Sequence, residues 1–274
     1  MKVMLGCCVV VLVILAGVPV QAVEPLALYD DFNAKSIDAS KWSGEQSGRL
    51  LEVAREIHGN RLRLAARAFG SPSPIPGEFS SRFRLPFTNP AAVTAIEATV
   101  AVRKVEATGC PGNPLPTRAQ MRLSGFFFNT GTTPPPPGNG TDDVLAFVRI
   151  ERFSDSADPE GVLRVRGILF HCSDPNCNFG AILSNQNLGS IEVEGRVRLR
   201  IQWDPDSDQF IFQRDDQPEV FAPYAVSDVL PPGLQTKRVE LAHEVANCSA
   251  AGSTAFMEVF VNDVFVNASA VSGP

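Results

Sequence analysis

Strict alternation of apolar and polar residues is the feature that most limits what this chain can fold into. Within residues 196–203, four apolar side chains alternate with four polar ones, and the same period of two recurs in residues 96–103 and 163–166. A β-strand with one buried face and one solvated face requires this period. No sustained apolar stripe with helical spacing follows residue 22. The pattern therefore predicts an all-β fold.

Segments rich in proline and glycine separate the alternating stretches. Residues 70–77, 109–114 and 132–141 are the clearest cases. Proline removes a ladder hydrogen bond and glycine allows positive φ, so these segments are expected to be surface loops. None has the composition of an interdomain linker. About a dozen strands in one unit predict a single antiparallel two-sheet sandwich over residues 23–274.

The N-terminus has the features of a secretory signal. Lys2 precedes an uninterrupted run of apolar or small residues over positions 4–20, and Val20 and Ala22 are small residues suited to signal peptidase. We predict a signal peptide of residues 1–22, a secreted or periplasmic protein and no membrane span after cleavage. The alternative is an uncleaved membrane anchor, because the run is almost long enough to span a bilayer.

Cysteine usage agrees with export. Two of the six cysteines fall within residues 1–22, and four in an exported chain predict two disulfides. Cys172 and Cys177 flank a turn-forming Asp-Pro-Asn, so a local bridge is expected, which leaves Cys110 to pair with Cys248 across a long loop. The alternative is a zinc site built from these cysteines and His171.

The overall charge restricts the partners. The formal net charge of −6 becomes −7 when Lys2 leaves with the signal peptide. An acidic chain of this kind lacks the basic surface that generic nucleic-acid binding requires. We therefore expect no nucleic-acid partner.

One acidic segment resembles the start of a calcium loop. Asp204, Asp206 and Asp208 have the spacing that begins an EF-hand, but Gln209 stands where glycine is expected and Asp215 where glutamate is expected. We predict a solvated hairpin turn here, with structural calcium on the three aspartates as the alternative. No other cofactor is expected.

Three stretches together resemble a known superfamily. Residues 29–32 read Tyr-Asp-Asp-Phe, residues 197–212 form a hairpin pattern around Trp-Asp-Pro, and residues 259–267 read as a closing strand. These stretches resemble the concanavalin A-like lectin/glucanase superfamily, which includes laminin-G-like modules and family 16 glycoside hydrolases. The resemblance implies a jelly-roll sandwich, a last strand beside the first, and burial of Trp42 and Trp203.

The resemblance does not extend to catalysis. The hydrolases of the superfamily carry Glu-x-Asp-x-x-Glu on one strand, and this chain lacks that pattern. Residues 143–151, the strand in the corresponding position, have apolar residues where the carboxylates belong. His243 could pair with Glu240 or Glu244 for acid/base work, but a surface-facing strand histidine is the preferred interpretation. No catalytic residue is assigned.

Arginine is the strongest candidate for ligand binding. It occupies alternate positions on two predicted strands, so that each set shares one strand face. If the strands are neighbours, the arginines form a cationic patch able to clamp carboxylates or sulfates. The alternative is a solvated face on which they pair with acidic residues. The candidate residues are Arg164, Arg166, Arg196, Arg198 and Arg200.

These observations lead to one preferred function and two alternatives. The preferred hypothesis is an exported noncatalytic module that binds carbohydrate, in particular an acidic oligosaccharide or polysaccharide, or another extracellular surface. The first alternative is a polysaccharide-active hydrolase or lyase with a divergent site. The second is a structural or adhesive interaction domain.

Overall fold

The computed structural model describes residues 24–249 and 252–271, so the expected signal peptide of residues 1–22 lies outside the described residues. Strands dominate the described part, where no helix is long and apolar enough to cross a bilayer. The strands are β1 Leu26–Asp30, β2 Glu45–Ser47, β3 Leu50–Ile57, β4 Leu62–Phe69, β5 Glu78–Pro86, β6 Ala95–Thr108, β7 Arg118–Asn129, β8 Asp143–Phe153, β9 Val162–Cys172, β10 Gly180–Glu192, β11 Arg196–Asp204, β12 Gln209–Arg214, β13 Val220–Pro223, β14 Lys237–Ala246 and β15 Thr254–Asn267. A short helix, α1 Ala268–Val271, follows.

The strands form two antiparallel sheets. The eight-stranded sheet has the order β13-β12-β11-β6-β15-β4-β3, with β1 paired to β15, and the seven-stranded sheet has the order β10-β9-β8-β7-β14-β5-β2. Neighbours such as β6 and β15, or β7 and β14, are far apart in sequence, so the chain crosses repeatedly between sheets. This arrangement confirms the predicted all-β, two-sheet antiparallel jelly-roll sandwich.

Alternation selects which side chains reach the core. On β11, Val197, Leu199 and Ile201 are almost completely buried, whereas Arg196 and Arg198 are exposed. Burial of each such aliphatic side chain contributes roughly 1.5–3 kcal/mol. The period of two therefore orients β11 with its apolar face towards the other sheet and its arginines towards solvent.

The two sheets approach closely in the middle of the sandwich. Gly167 of β9 faces Phe212 of β12, and a Cβ atom at Gly167 would lie only 2.4 Å from the Phe212 ring. Phe212 is fully buried, so its ring has no room to move. A glycine at this position lets the aromatic ring of one sheet pack directly on the backbone of the other.

The sequence stretches that resemble the superfamily occupy the expected places. β15 pairs with β1, as the closing strand should, and β11 pairs with β12 through the predicted hairpin. Trp42 is buried and donates its Nε1–H to Asp30 Oδ2 at 2.7 Å. Trp203 lies at the end of β11 beside a cavity and is only partly buried. It packs against the core as expected, but it is less buried than the resemblance implied.

The cysteines form two disulfides, Cys172–Cys177 and Cys110–Cys248. The first closes the Asp-Pro-Asn turn, and the second joins residues 138 positions apart. Because all four sulfurs are oxidised, the alternative zinc site on these cysteines is wrong. The long-range bridge restricts the unfolded chain more than the local one does.

Candidate functional site

The most densely charged region is the outer face of the seven-stranded sheet. On β7, Arg118, Gln120 and Arg122 alternate with the core residues Met121 and Leu123, so they point away from the core. A cavity of about 210 Å³ opens on this face. Its charged lining consists of Glu78, Arg82, Arg118, Arg122, Arg149 and Glu244.

Three buried glutamates organise the arginines on this face. We call these residues the arginine–glutamate network. Its members come from the adjacent strands β9, β8, β7, β14 and β5, which places long charged side chains side by side. The network consists of Glu151, Glu240 and Glu244 together with Arg82, Arg84, Arg118, Arg122, Arg149, Arg166 and Arg238.

Glu244 of β14 is surrounded by three guanidinium groups. It is paired with Arg118, accepts a hydrogen bond from Arg122 Nη2 at 3.2 Å, and lies 3.8 Å from Arg82 Nη2. The side chain of Glu244 is only 9% exposed. Removal of this carboxylate from water is therefore offset by charge-assisted contacts on several sides.

Glu151 of β8 occupies a similar position next to the cavity. Its Oε2 lies 2.9 Å from Arg149 Nε and 3.6 Å from Arg118 Nη1, and its Oε1 lies 3.4 Å from Arg166 Nε. Arg118 contacts both Glu151 and Glu244 and thus links the two clusters. The side chain of Glu151 is completely buried.

Glu240 of β14 is the third centre of the network. It lies 3.1 Å from Arg238 Nε and 3.4 Å from Arg84 Nε, and it accepts a hydrogen bond from Ser124 Oγ at 3.0 Å. Burial alone would raise the pKa of Glu240, but the surrounding arginines, Arg238 first among them, lower it to about 2. Glu240 is therefore an ionised structural partner and a poor general acid.

Positive charge exceeds negative charge in this network. Burial lowers the pKa of Arg149 to about 9, and repulsion from Arg118 acts in the same direction. The pKa of Arg122 also falls well below its usual value, because of burial first and the nearby Arg82 second, with Glu240 opposing them. Burial is thus the main cause of both shifts, and repulsion between neighbouring guanidinium groups adds to it.

An apolar wall lies beside the charged groups. The Phe147 ring is 4.5 Å from the Arg122 guanidinium carbon and 5.7 Å from that of Arg149, within cation–π range. The other apolar lining residues of the cavity include Leu145, Ile168, Phe170 and Ile182. Leu145 and Phe147 are outward residues of β8, on the same face as Arg149 and Glu151.

Gln120 adds a buried polar group between Arg118 and Arg122. Its Oε1 accepts a hydrogen bond from Arg122 Nε at 3.1 Å, and the residue is completely buried. Its Nε2 has no hydrogen-bond partner among the described residues. Carboxylate oxygens of Glu151, Glu240 and Glu244 on the same face also lack a hydrogen bond of standard geometry among the described residues, so both donors and acceptors are left open there.

The arginines singled out from the sequence do not form one patch. Arg164 and Arg166 lie on β9 of the seven-stranded sheet, whereas the other three lie on β11 of the eight-stranded sheet. The outer faces of the two sheets point in opposite directions, so the predicted single patch is wrong. Only Arg166 belongs to the network, while Arg164 pairs with Asp158 at 2.6 Å.

Two of the β11 arginines, Arg196 and Arg198, are exposed to solvent, while Arg200 is partly buried. Arg196 is exposed, Arg198 contacts Asp216 and lies 3.8 Å from Glu97, and Arg200 lies 3.4 Å from Glu219. This is the alternative stated for these residues, in which arginine pairs with acidic neighbours. No cavity described on this part of the molecule includes them.

The aspartates of the hairpin do not assemble a metal site. Asp204 ends β11 and accepts a hydrogen bond from Gln209 Nε2 at 3.0 Å, and Asp208 follows a short 3-10 turn with φ of 48°. Within residues 24–249 and 252–271, no group of three or more His, Cys, Asp or Glu residues is placed to hold a metal ion. The calcium alternative on Asp204, Asp206 and Asp208 is therefore wrong.

His243 is buried between the sheets, so its assignment to the surface was wrong. Its Nδ1 accepts the Gln120 backbone N–H at 3.3 Å, and its Nε2 donates to the Ala66 carbonyl at 3.2 Å. Burial lowers the pKa of His243 to about 3. His243 points into the core while Glu240 and Glu244 point outwards, so His243 does not form an acid/base pair with either glutamate.

Sequence reasoning missed most of the arginines that the network uses. Their alternation was visible on the two segments that carry Arg82 with Arg84 and Arg118 with Arg122. Their importance comes from β14, which lies between β7 and β5 and brings both segments to the same glutamates.

Comparisons with known proteins do not identify a function for this chain. No protein-family model and no curated protein matches the chain. A GlcNAcα1-4Gal-releasing endo-β-galactosidase from Clostridium perfringens is 10% identical, with a TM-score of 0.47 over 89% of this chain and 62% of its own. The chain thus spans less than two thirds of that enzyme.

Two other solved structures match over most of their length. The alginate lyase from Klebsiella pneumoniae is 9% identical over 84% of this chain and 95% of its own, with a TM-score of 0.40. Winged bean acidic lectin, solved with methyl-α-D-galactose, is 11% identical over 88% of this chain and 99% of its own, with a TM-score of 0.35. At these values the matches do not identify a ligand for this chain.

Proposed function

We propose that this chain is an exported, noncatalytic protein that binds an acidic oligosaccharide or polysaccharide on the arginine–glutamate network. The observation that carries the proposal is the excess of arginine over glutamate in the network, seven to three, around a cavity with an apolar wall. A carboxylate or sulfate group of the glycan would occupy the cavity beside Arg82, Arg122 and Arg149.

The excess positive charge of the network favours an anionic ligand. Seven arginines surround three glutamates in the network, and their mutual repulsion contributes to the lowered pKa of Arg122 and Arg149. A bound anion accepts hydrogen bonds from guanidinium groups and reduces this repulsion. The gain is larger than on an open surface, because water screens these groups poorly.

The shape of the site fits one small group of a longer ligand. A volume of about 210 Å³ is below the roughly 300–1,000 Å³ of sites that enclose drug-sized molecules. The apolar wall around Phe147 offers a surface on which the face of a sugar ring packs. A single charged sugar therefore enters the cavity while its neighbours lie along the open face.

The ionisation of the carboxylates favours binding over hydrolysis. A glycosidase needs one protonated carboxyl group near neutral pH. Glu151 and Glu244 are each surrounded by three guanidinium groups. The pKa of Glu240 is about 2, so this carboxyl group stays ionised far below neutral pH. Glu240 is therefore not suited to donate a proton to a leaving group.

Export is supported by the two disulfides, which form and persist in oxidising compartments. We take residues 23–274 as the exported unit and residues 1–22 as its signal peptide. An extracellular or periplasmic location would expose the network to the acidic polysaccharides of cell walls, capsules or matrices.

The test is a binding experiment with matched variants. The disulfide-bonded protein is titrated by calorimetry with uronic-acid polymers, sulfated polysaccharides and neutral glycans. We expect binding of the acidic class only, with an affinity that falls as salt rises. Arg122→Gln should weaken it roughly tenfold or more, since a charged hydrogen bond is lost while Glu244 retains two other arginines. Arg196→Gln, the same change on the exposed face of β11, should have no effect.

Three results would contradict the proposal. The first is an absence of binding across the acidic glycans, and the second is equal weakening by Arg122→Gln and Arg196→Gln. The third is release of shortened or unsaturated products during incubation, which would make the protein an enzyme. Melting temperatures of both variants establish that any lost binding does not arise from unfolding.

A further inference from the structure

A second cavity, of about 340 Å³, is lined by residues of both sheets. Trp203 comes from the end of β11 in the eight-stranded sheet, while Phe127 and Lys237 come from β7 and β14 in the seven-stranded sheet. The remaining wall is formed largely by the segment before β14. Its apolar residues are Val229, Leu230, Pro231 and Pro232.

Lys237 places a cation in this apolar cavity. The residue is only 4% exposed, its Nζ donates a hydrogen bond to the Phe126 carbonyl at 3.1 Å, and Nζ lies 4.9 Å from the centre of the Phe127 ring. Within the described residues, no carboxylate lies within ion-pair distance of it. Burial lowers the pKa of Lys237 to about 8, and no acidic group opposes that effect. Two of the three ammonium protons are left without a protein acceptor.

The one acidic group that lines the cavity, Asp228, is engaged elsewhere. Its Oδ2 accepts a hydrogen bond from Tyr224 Oη at 2.5 Å, and Tyr224 Oη in turn accepts one from Trp203 Nε1 at 2.9 Å. Burial and the contact with Asp228 raise the pKa of Tyr224, so its hydroxyl stays protonated. This chain of hydrogen bonds fixes Trp203 and holds the Asp228 carboxylate on the tyrosine.

We propose that this cavity binds a small organic carboxylate with an apolar body, such as an arylalkanoate. Its carboxylate would pair with Lys237 Nζ, and its ring would lie against Phe127 and Trp203. A buried ammonium without an acidic partner in an otherwise apolar cavity has the charge and the surroundings that complement such a molecule. The site is separate from the arginine–glutamate network, because Lys237 and Arg238 point to opposite faces of β14.

The experiment compares two ligands of the same shape and different charge. Binding of 3-phenylpropionate and of 3-phenylpropan-1-ol to the protein is measured by calorimetry at pH 7. We expect the carboxylate to bind and the alcohol to bind far more weakly. Lys237→Met should weaken binding of the carboxylate roughly ten- to hundredfold, as loss of a hydrogen bond to a charged group does. Lys35→Met, the same substitution at an exposed position, should leave it unchanged.

A second measurement does not depend on a variant. Amine acylation of the wild-type protein is followed by mass spectrometry at Lys237, with and without 3-phenylpropionate. Protection of Lys237, with no protection of Lys35, is the expected result. Equal binding of acid and alcohol, unchanged binding by Lys237→Met, no binding of the acid, or no protection of Lys237 would each overturn the proposal.

Discussion

Arginine alternates with apolar residues on strands of both sheets, yet its acidic partners differ in exposure between the two outer faces. On the eight-stranded sheet, Arg198 pairs with Asp216, whose side chain is 95% exposed. On the seven-stranded sheet, Arg238 and Arg84 pair with Glu240, whose side chain is 1% exposed. The same strand pattern thus forms a solvated surface in one place and a buried charged network in the other.

The difference comes from where the acidic partners lie. Asp216 and Glu219 belong to the segment between β12 and β13, where the side chain of Asp216 is 95% exposed and that of Glu219 is 30% exposed. Glu151 and Glu240 lie within strands flanked on both sides by strands that carry arginine, so neighbouring guanidinium groups cover them. Glu97 of β6, the in-strand partner of Arg198, keeps 15% of its side chain exposed, whereas Glu151 and Glu240 are 0% and 1% exposed. Complete burial beneath arginines from several strands therefore distinguishes Glu151 and Glu240 from the acidic partners on the other face.

The largest expected difference between the faces is in stability. Glu240→Gln leaves Arg238 without a carboxylate and Arg84 with only the exposed Glu45, and we expect it to lower the free energy of unfolding by about 3–5 kcal/mol. Glu219→Gln, which removes the partner of Arg200 near the surface, should lower it by less than about 1 kcal/mol. Denaturant unfolding of the two variants measures this. Equal losses would mean that the two faces do not differ energetically.

Lowering the pH should also distinguish Glu240 from Glu219, with a smaller change in the free energy of unfolding. The pKa of Glu240 is about 2 in the folded protein, below its ordinary value of 4.5, so the unfolded chain takes up the proton first as the pH falls. The stability that Glu240 contributes is complete above about pH 4.5 and is lost between about pH 4.5 and 2, with a size on the order of 3 kcal/mol. As the pH falls across this range, the free energy of unfolding should decrease less steeply for Glu240→Gln than for Glu219→Gln. Parallel curves would contradict the assigned ionisation.

Salt should have the smallest effect and should act on one face only. At about 1 M ionic strength, charges interact over roughly 3 Å, so exposed pairs contribute almost nothing. The stability lost through Glu219→Gln should then approach zero, while that lost through Glu240→Gln should persist. The measurement is unfolding of both variants in low and high salt. Full screening of the Glu240 effect would show that water reaches the network.

Sequence patterns predicted the fold well because the sandwich depends on local periodicity. The alternation on β11, the hairpin to β12 and the closing strand β15 are all present in the structure. Alternation also carried information that was not used. His243 has the same strand parity as the core residues Leu241 and Val245, which already places it between the sheets.

The candidate site could not be predicted in the same way. Arg166 and Arg198 are similar in sequence context, since each is flanked by apolar residues on an alternating strand. Only the strand order shows that β9 and β11 belong to different sheets and that β14 lies between β7 and β5. Lys237 gave no signal at all, because its lack of an acidic partner depends on residues far away in the chain.

The sequence by itself determined the strand pattern, the buried and solvated faces of each strand and the cysteines available for disulfides, because these follow from side-chain spacing over a few residues. Tertiary structure decided which arginines meet which glutamates and which lysine is buried in an apolar cavity. These depend on strand order and on the distance of each charge from water, and both are set by pairings between residues up to 245 positions apart, as between Glu24 and Ser269.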